Sequence, residues 1–311
     1  MRPANRKTTY PNPDTMLKTA HKYLLQGILL ACLLLLCTGC ARRPDSTATT
    51  DSTAVALKVE DTGKPARQAV TAIEPEETGE TDYERPDIDL PAPLSERAEQ
   101  ILYRKAYVVS YNQDTRMPNW VAWQLTADHT DGECRRPGNA FHEDLDVPAP
   151  RATNSDFRGS GWSRGHMCPA GDNRWDEKAM YESFLLSNVC PQHTDLNSGV
   201  WNQIEMACRT WAKRYGSVYI VCGPILLNRE HAVIGEAGIV VPEAFFKVVL
   251  CLEGEPKGIG FICRNTDGSH KKDLYVNSIR EVERVTGLHF FPHLPEEIVR
   301  QVKDGEDLEA W

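Results

Sequence analysis

From residue 41 to about 95 the chain is rich in Thr, Ala, Glu, Asp and Pro and almost devoid of aromatic residues. A segment of that make-up cannot bury enough apolar surface to offset the entropy of ordering it, so it reads as a disordered tether. Any packed fold is thereby confined to the C-terminal two thirds of the chain. The 311 residues divide into a segment 1–40, an acidic tether 41–96 and one folded domain 97–311. That domain is long enough for a single core. The composition, 41% hydrophobic and 25% charged, excludes collagen-like, fibrous and wholly disordered chains.

The formal net charge of −9 at first argues against a protein that handles polyanions. Divided by region, it does not: roughly +4 falls in 1–40, roughly −7 in 41–99 and roughly −6 in the rest. A mildly acidic domain has room for a local basic groove, so nucleic acid stays open as a partner.

The first forty residues have the form of a targeting signal. Leu24 to Leu36 is apolar except for Gln26, comes after Lys18, His21 and Lys22, and ends Leu36-Cys37-Thr38-Gly39-Cys40. The run is too short for a membrane span and has the shape of a signal peptide. Up to Cys40 it resembles a bacterial lipoprotein signal, although Cys37 stands where such signals usually carry Leu. The resemblance implies lipidation at Cys40 and a domain anchored to a membrane of the cell envelope, facing the periplasm or the cell surface. A plain secretory signal or a short anchor is the alternative.

Within the domain, 106–111 and 119–125 read as strands joined by a turn at 114–118. Val218 to Cys222 is a third strand that runs into a Gly-Pro stop. Residues 244–252 and 258–264 flank a Glu-Gly-Glu-Pro-Lys turn as a second hairpin. Helices are expected over 177–186, after an Asp176 cap, and over 200–215, with Gly216 as the stop. Strands and helices mixed without regular β-α-β alternation predict an α+β fold around an antiparallel sheet.

The chemistry lies between residues 154 and 205. One block reads Ser163-Arg164-Gly165-His166, a second Ser187-Asn188-Val189-Cys190-Pro191-Gln192, and a third pairs Asn197 with Glu205. Arg164 and His166 alternate along a strand and so project to the same side. A cation that holds phosphate and an imidazole that takes a proton would then face one substrate. Asn197 stands at the start of a helix with Glu205 about two turns on. Its amide oxygen is a hard ligand suited to Mg²⁺. Phosphodiester cleavage needs a base, neutralised phosphate charge and a stabilised leaving oxygen. His166, Arg164 and an Asn197-bound Mg²⁺ would supply one each.

The three blocks closely resemble those of the DNA/RNA non-specific endonucleases of the ββα-metal type, the family of mitochondrial endonuclease G and the secreted Serratia nuclease. That family's motif is Asp-Arg-Gly-His, then Ser-Asn-x-x-Pro-Gln, then Asn with Glu eight residues on. The resemblance runs from about Tyr107 to Phe290. It implies a His-Me finger fold and an endonuclease that cuts DNA and RNA with Mg²⁺, or with Mn²⁺ or another divalent cation. It implies His166 as general base, Asn197 as the protein ligand of the hydrated metal and Glu205 as the holder of a metal-bound water. Arg164 would bind phosphate, Asn188 would support the site, and Arg136 is the candidate for a second phosphate-binding arginine. Products would carry 5′-phosphate and 3′-hydroxyl ends, and homodimers occur in the family. Contacts to the backbone without base-edge readout would explain low sequence preference. Arg158 and Arg174 are expected to join Arg136 and Arg164 in a positive groove.

One position departs from the motif: Ser163 replaces the usual Asp. Loss of such an orienting group costs roughly tenfold to a hundredfold unless another carboxylate, Asp156 or Asp172, substitutes. A weakened nuclease fold that only binds nucleic acid or a surface partner is therefore the alternative function. A Zn²⁺ site from His166, Cys168, Cys190 and His193 has the right residue types, but its spacings match no common zinc module. Trp162, Trp201 and Trp211 are candidates for base stacking, although the helical stripe assigns the last two to the core. The domain's seven cysteines leave at least one thiol free. Cys251 and Cys263 lie nearly symmetrically about a hairpin turn, where a disulfide or two reduced thiols would both fit. Cys168 and Cys190 could approach one another near the site.

Overall fold

Residue-by-residue alternation in the central strands divides the core into two layers. In 244–251, Phe245, Val249 and Cys251 face one layer, while Ala244, Phe246, Val248 and Leu250 face the other. Strands that are covered on both faces become continuous apolar runs, which is why these segments are recognisable in the sequence. In the computed structural model, which describes residues 90–311 apart from 139 and 267–269, seven strands form one antiparallel sheet, the inner ones covered on both faces. The expected signal segment, Cys40 and the tether up to residue 89 lie outside the described residues.

The strands in chain order are β1 (Gln100–Tyr103), β2 (Val108–Asn112), β3 (Met117–Thr126), β4 (Ser163–His166), β5 (Val189–Gln192), β6 (Ser217–Ile225), β7 (Val233–Ile234), β8 (Ile239–Val240), β9 (Ala244–Cys251), β10 (Lys257–Arg264) and β11 (Val276–Asn277). The large sheet has the order β1-β2-β3-β6-β9-β10-β11, and β4-β5 and β7-β8 are separate two-stranded ladders. One face is covered by the helix Asn202–Tyr215 through Ile204, Cys208, Trp211 and Ala212. Two helices not expected from the sequence, Ile279–Thr286 and Glu296–Lys303, cover the other through Ile279, Val282 and Val302. The α+β architecture around an antiparallel sheet is thus the one expected. Among the described residues no helix is long and apolar enough to cross a membrane.

Three details differ from expectation. Leu90 and Leu94 already pack against the second layer, and Ala92 N–H donates to the His289 carbonyl at 2.9 Å, so packed chain begins ahead of residue 97. Gly223-Pro224 does not end β6. Beyond Cys222 the strand has left β3 and pairs only with β9, where Pro224 lies opposite Phe245. A proline is tolerated there because it needs no N–H on the side that has lost its neighbour. Finally, Cys251 lies opposite Lys257 and Cys263 opposite Phe245, so the hairpin register keeps the two sulfurs apart. Among the described residues all seven cysteines are free thiols, Cys168 and Cys190 included.

Candidate active site

The first and third sequence blocks line one cleft of about 670 Å³, and the second lies on and just ahead of β5, the strand paired with β4. β4 and β5 pair antiparallel with Ser163 opposite Gln192, Arg164 opposite Pro191, Gly165 opposite Cys190 and His166 opposite Val189. Gly165 is required by close approach: a Cβ there would lie 2.3 Å from Gln192 Oε1 and 2.6 Å from Gln192 Cβ. Gln192 is fully buried and cannot swing away. Gly165→Ala is expected to destabilise by about 1–3 kcal/mol through overpacking, to be read from chemical denaturation midpoints.

After β5 the chain makes one helical turn, Thr194–Leu196, then kinks at Gly199, whose φ of −95° and ψ of −113° are not helical, before the helix Asn202–Tyr215. The kink leaves Asn197 and Glu205 on the wall of the same cleft as His166. Two strands and then a helix, carrying the three blocks, make a ββα unit.

His166 is held by rings. Phe141 lies 4.9 Å from the imidazole at 36°, Phe184 lies 5.0 Å away edge-on, and Nε2 is buried without a partner. Its carbonyl accepts the Trp201 indole N–H at 3.3 Å. Burial, with Arg136 adding to it, lowers the imidazole pKa to about 3, so the ring is neutral across the ordinary pH range. Arg164 donates from Nη2 to the Asn154 carbonyl at 2.8 Å and rests over Phe157 and Phe141. Arg136 stacks on Phe141 and Phe184, 5.2 Å from each.

The carboxylates expected to stand in for the missing Asp are engaged elsewhere. Asp156 accepts from the Thr153 and Ala237 backbone N–H groups and from the Thr153 hydroxyl. Asp172 accepts from Arg209 at 2.8 Å and from the Trp123 indole at 3.2 Å. Ser163 itself pairs with the Thr194 hydroxyl at 2.8 Å. Burial and the neighbouring Arg158 lower the Arg164 pKa, and no carboxylate is paired with its guanidinium among the described residues.

Asn188 does not line the cleft. Fully buried, it accepts from the Cys168 N–H at 2.9 Å and donates to the Cys168 and Ser183 carbonyls at 2.8 Å. It bolts the end of β4 to the loop ahead of β5, a supporting part rather than a reacting one. Arg158 and Arg174 are not in the cleft wall; Arg209, one helical turn beyond Glu205, is. The signal for Arg209 was its i+4 spacing from Glu205 on one helix. Trp201 and Trp211 are core residues, whereas Trp162 lines the cleft. The alternative zinc site does not assemble: no group of three His, Cys, Asp or Glu is placed to hold a metal among the described residues. A separate cavity of about 550 Å³, near Arg97 and Asp114, contains none of the motif residues.

Beneath the cleft, Lys247 of β9 is almost wholly buried, 4.4 Å from the Trp201 ring centre and 5.2 Å from that of Trp123. Glu205 is pushed up to about 7 by burial, with Lys247 and Arg209 opposing and Asp172 reinforcing the rise. This shift makes stability depend on pH. An unfolded Glu ionises near 4.5, so raising the pH from there through about 7 charges the unfolded chain first and lowers folding stability. In metal-free protein the melting temperature of Glu205→Gln is expected to gain on the wild type across this window; parallel curves would contradict it.

The family model of the DNA/RNA non-specific endonucleases matches residues 91–297. The chain belongs to that family. Mitochondrial nuclease EXOG of Homo sapiens is 38% identical over 205 residues, covering 60% of this chain and 56% of that protein. The chain thus spans little more than half the length of these relatives. Mitochondrial endonuclease G of Bos taurus is 37% identical over 209 residues, covering 63% of this chain and 70% of that protein. The solved structure titled as the EndoG/EndoGI complex superposes with a TM-score of 0.62 at 28% identity, over 67% of this chain and 92% of that one. For a member of the DNA/RNA non-specific endonucleases, a ββα unit is the expected frame for the site.

Proposed function

We propose that this domain is a divalent-cation-dependent endonuclease that hydrolyses phosphodiester bonds of DNA and RNA with little sequence preference. One observation carries the reading: a neutral imidazole with an unpartnered, buried Nε2 shares a cleft with three guanidiniums, of Arg136, Arg164 and Arg209. His166 takes the proton of an attacking water at Nε2. Arg164 and Arg136 hold the phosphate oxygens, while Arg209 is fixed in place by Asp172. Contacts of this kind grip the backbone and carry no base information.

The donor set in the cleft fits a hydrated Mg²⁺. Asn197 and Glu205 offer hard oxygen atoms and no thiolate, and Mg²⁺ keeps most of its waters and needs few protein ligands. Asn197 would hold the cation and Glu205 its hydration shell; Mn²⁺ suits the same oxygens. When bound, the cation neutralises charge at the phosphate and the leaving oxygen. With water attacking phosphorus and the 3′ oxygen leaving, the products carry 5′-phosphate and 3′-hydroxyl ends. The same reading places the domain at the cell envelope, on a lipid at Cys40, supported by the form of the N-terminal sequence.

Incubation of supercoiled plasmid and of a structured RNA with the protein and Mg²⁺ tests the reading. Nicked and then linear DNA is expected, with ends that ligate and prime without repair. Cleavage should weaken as salt rises, because phosphate binding releases counterions. Retained binding with no cleavage in Mg²⁺ or Mn²⁺ would leave the weakened, binding-only fold as the better description.

A further inference from the structure

Three of the four cationic or basic groups of the cleft, His166, Arg136 and Arg164, converge on one side chain that no motif contains. Phe141 lies 4.9 Å from the His166 ring, with the Arg136 guanidinium 5.2 Å and the Arg164 guanidinium 5.7 Å from its centre. Phe184 backs it edge-on at 5.3 Å and touches two of the same groups, Arg136 at 5.2 Å and His166 at 5.0 Å. Asn154 ties the arrangement at the backbone: its side chain donates to the Phe141 carbonyl, and its own carbonyl accepts from Arg164.

We propose that Phe141, backed by Phe184, is a positioning residue of the phosphodiester site, an aromatic slot that orients His166, Arg136 and Arg164 together. The proposal rests on the nuclease function and says how its parts are held. A guanidinium over a ring face is attracted by the ring quadrupole. Unlike a carboxylate partner, the ring neither neutralises the arginine nor occupies its N–H donors, so both stay available to phosphate. This accounts for a site in which Ser163 supplies no carboxylate and Asp156 and Asp172 are committed elsewhere. The same ring keeps water from one face of the imidazole, which favours the neutral form that accepts a proton.

The test uses the full chain with Phe141→Leu, Phe141→Tyr, Arg136→Ala and the Leu/Ala double variant. Three quantities are measured: the titration midpoint of His166 by NMR in metal-free protein, binding of a phosphorothioate oligonucleotide, and kcat and KM for duplex cleavage. In Phe141→Leu the His166 midpoint should rise by about one pH unit or more as the slot opens to water. The charged groups around the cleft, Arg136, Arg164, Glu205 and Arg209, are unchanged in that variant. Oligonucleotide binding should weaken about tenfold, and Arg136→Ala should cost far less in the Leu background than in the wild type. Phe141→Tyr, which keeps the ring, should restore all three. An unmoved His166 midpoint together with additive Arg136→Ala effects would overturn the proposal. Should the Leu variant fail to fold, Phe141→Met, of similar volume and without a ring face, carries the same comparison. A wild type that cuts nothing would sink the nuclease reading alone, since the titration and binding measurements still decide the slot.

Discussion

His166→Ala should cut the cleavage rate by about a hundredfold to ten-thousandfold, the range a positioned general base supplies, while leaving oligonucleotide binding close to wild type. The reason is a separation of tasks in the cleft. In the proposed reaction phosphate affinity belongs to Arg136, Arg164 and Arg209, each held by contacts other than the imidazole: two rings, a backbone carbonyl with two rings, and the Asp172 carboxylate. The imidazole contributes a proton acceptor whose Nε2 has no other partner. Loss should therefore appear in kcat rather than KM. Circular dichroism and a thermal melt check that Phe141 and Phe184 have not collapsed into the vacated space. His166→Gln, which fills more of the slot without serving as an effective base at neutral pH, should be equally slow. A His166→Ala protein with wild-type kcat would remove the imidazole from the mechanism and require another base.

Asn188→Ala should be the most damaging of the stability changes. The side chain is inaccessible to solvent and satisfies the Cys168 N–H and two carbonyls, of Cys168 and Ser183. Truncation leaves those buried backbone groups without their partner, at about 1–3 kcal/mol for each that stays unsatisfied. A total near 3 kcal/mol corresponds to a drop of about 6–12 °C in Tm for a domain of this size. The position decides what accompanies that loss. Cys168 is two residues beyond His166, so slackening here lets the end of β4 move and lowers activity even in the folded fraction. A Tm unchanged by the substitution, with activity abolished, would instead make Asn188 a reacting group.

Much of the site was readable because its chemistry is local in the chain. Arg164 and His166 alternate on one strand, so spacing alone places them on a common side, and Asn197 and Glu205 share one short segment whose kink at Gly199 leaves both on the cleft wall. Asn188 was legible as part of a block but not as a bolt. Its three hydrogen bonds run to Cys168, twenty residues away, and to Ser183, and spacing says nothing of such pairing. The symmetry of Cys251 and Cys263 left a disulfide and two reduced thiols both open for a related reason: strand pairing is set by the turn, and the observed register opposes Cys251 to Lys257 and keeps both as thiols. Charge alone nominates Arg158 and Arg174 for the groove, yet neither lines the cleft, because which arginine enters it depends on where the backbone carries it.

The α+β class, the central strands and the identity of the catalytic blocks are written in the order of residues, because apolar runs, turn residues and short spacings are properties of contiguous chain. What surrounds those blocks is a matter of the folded arrangement. Phe141 and Phe184 close on His166 from segments more than forty residues apart, Lys247 comes to rest beneath the cleft from β9, and Asp172 chooses Arg209 rather than Arg164. Each of these depends on packing across the sheet and between layers. Desolvation and contact between distant residues arise only when the layers close, so no periodicity in the chain could have announced them.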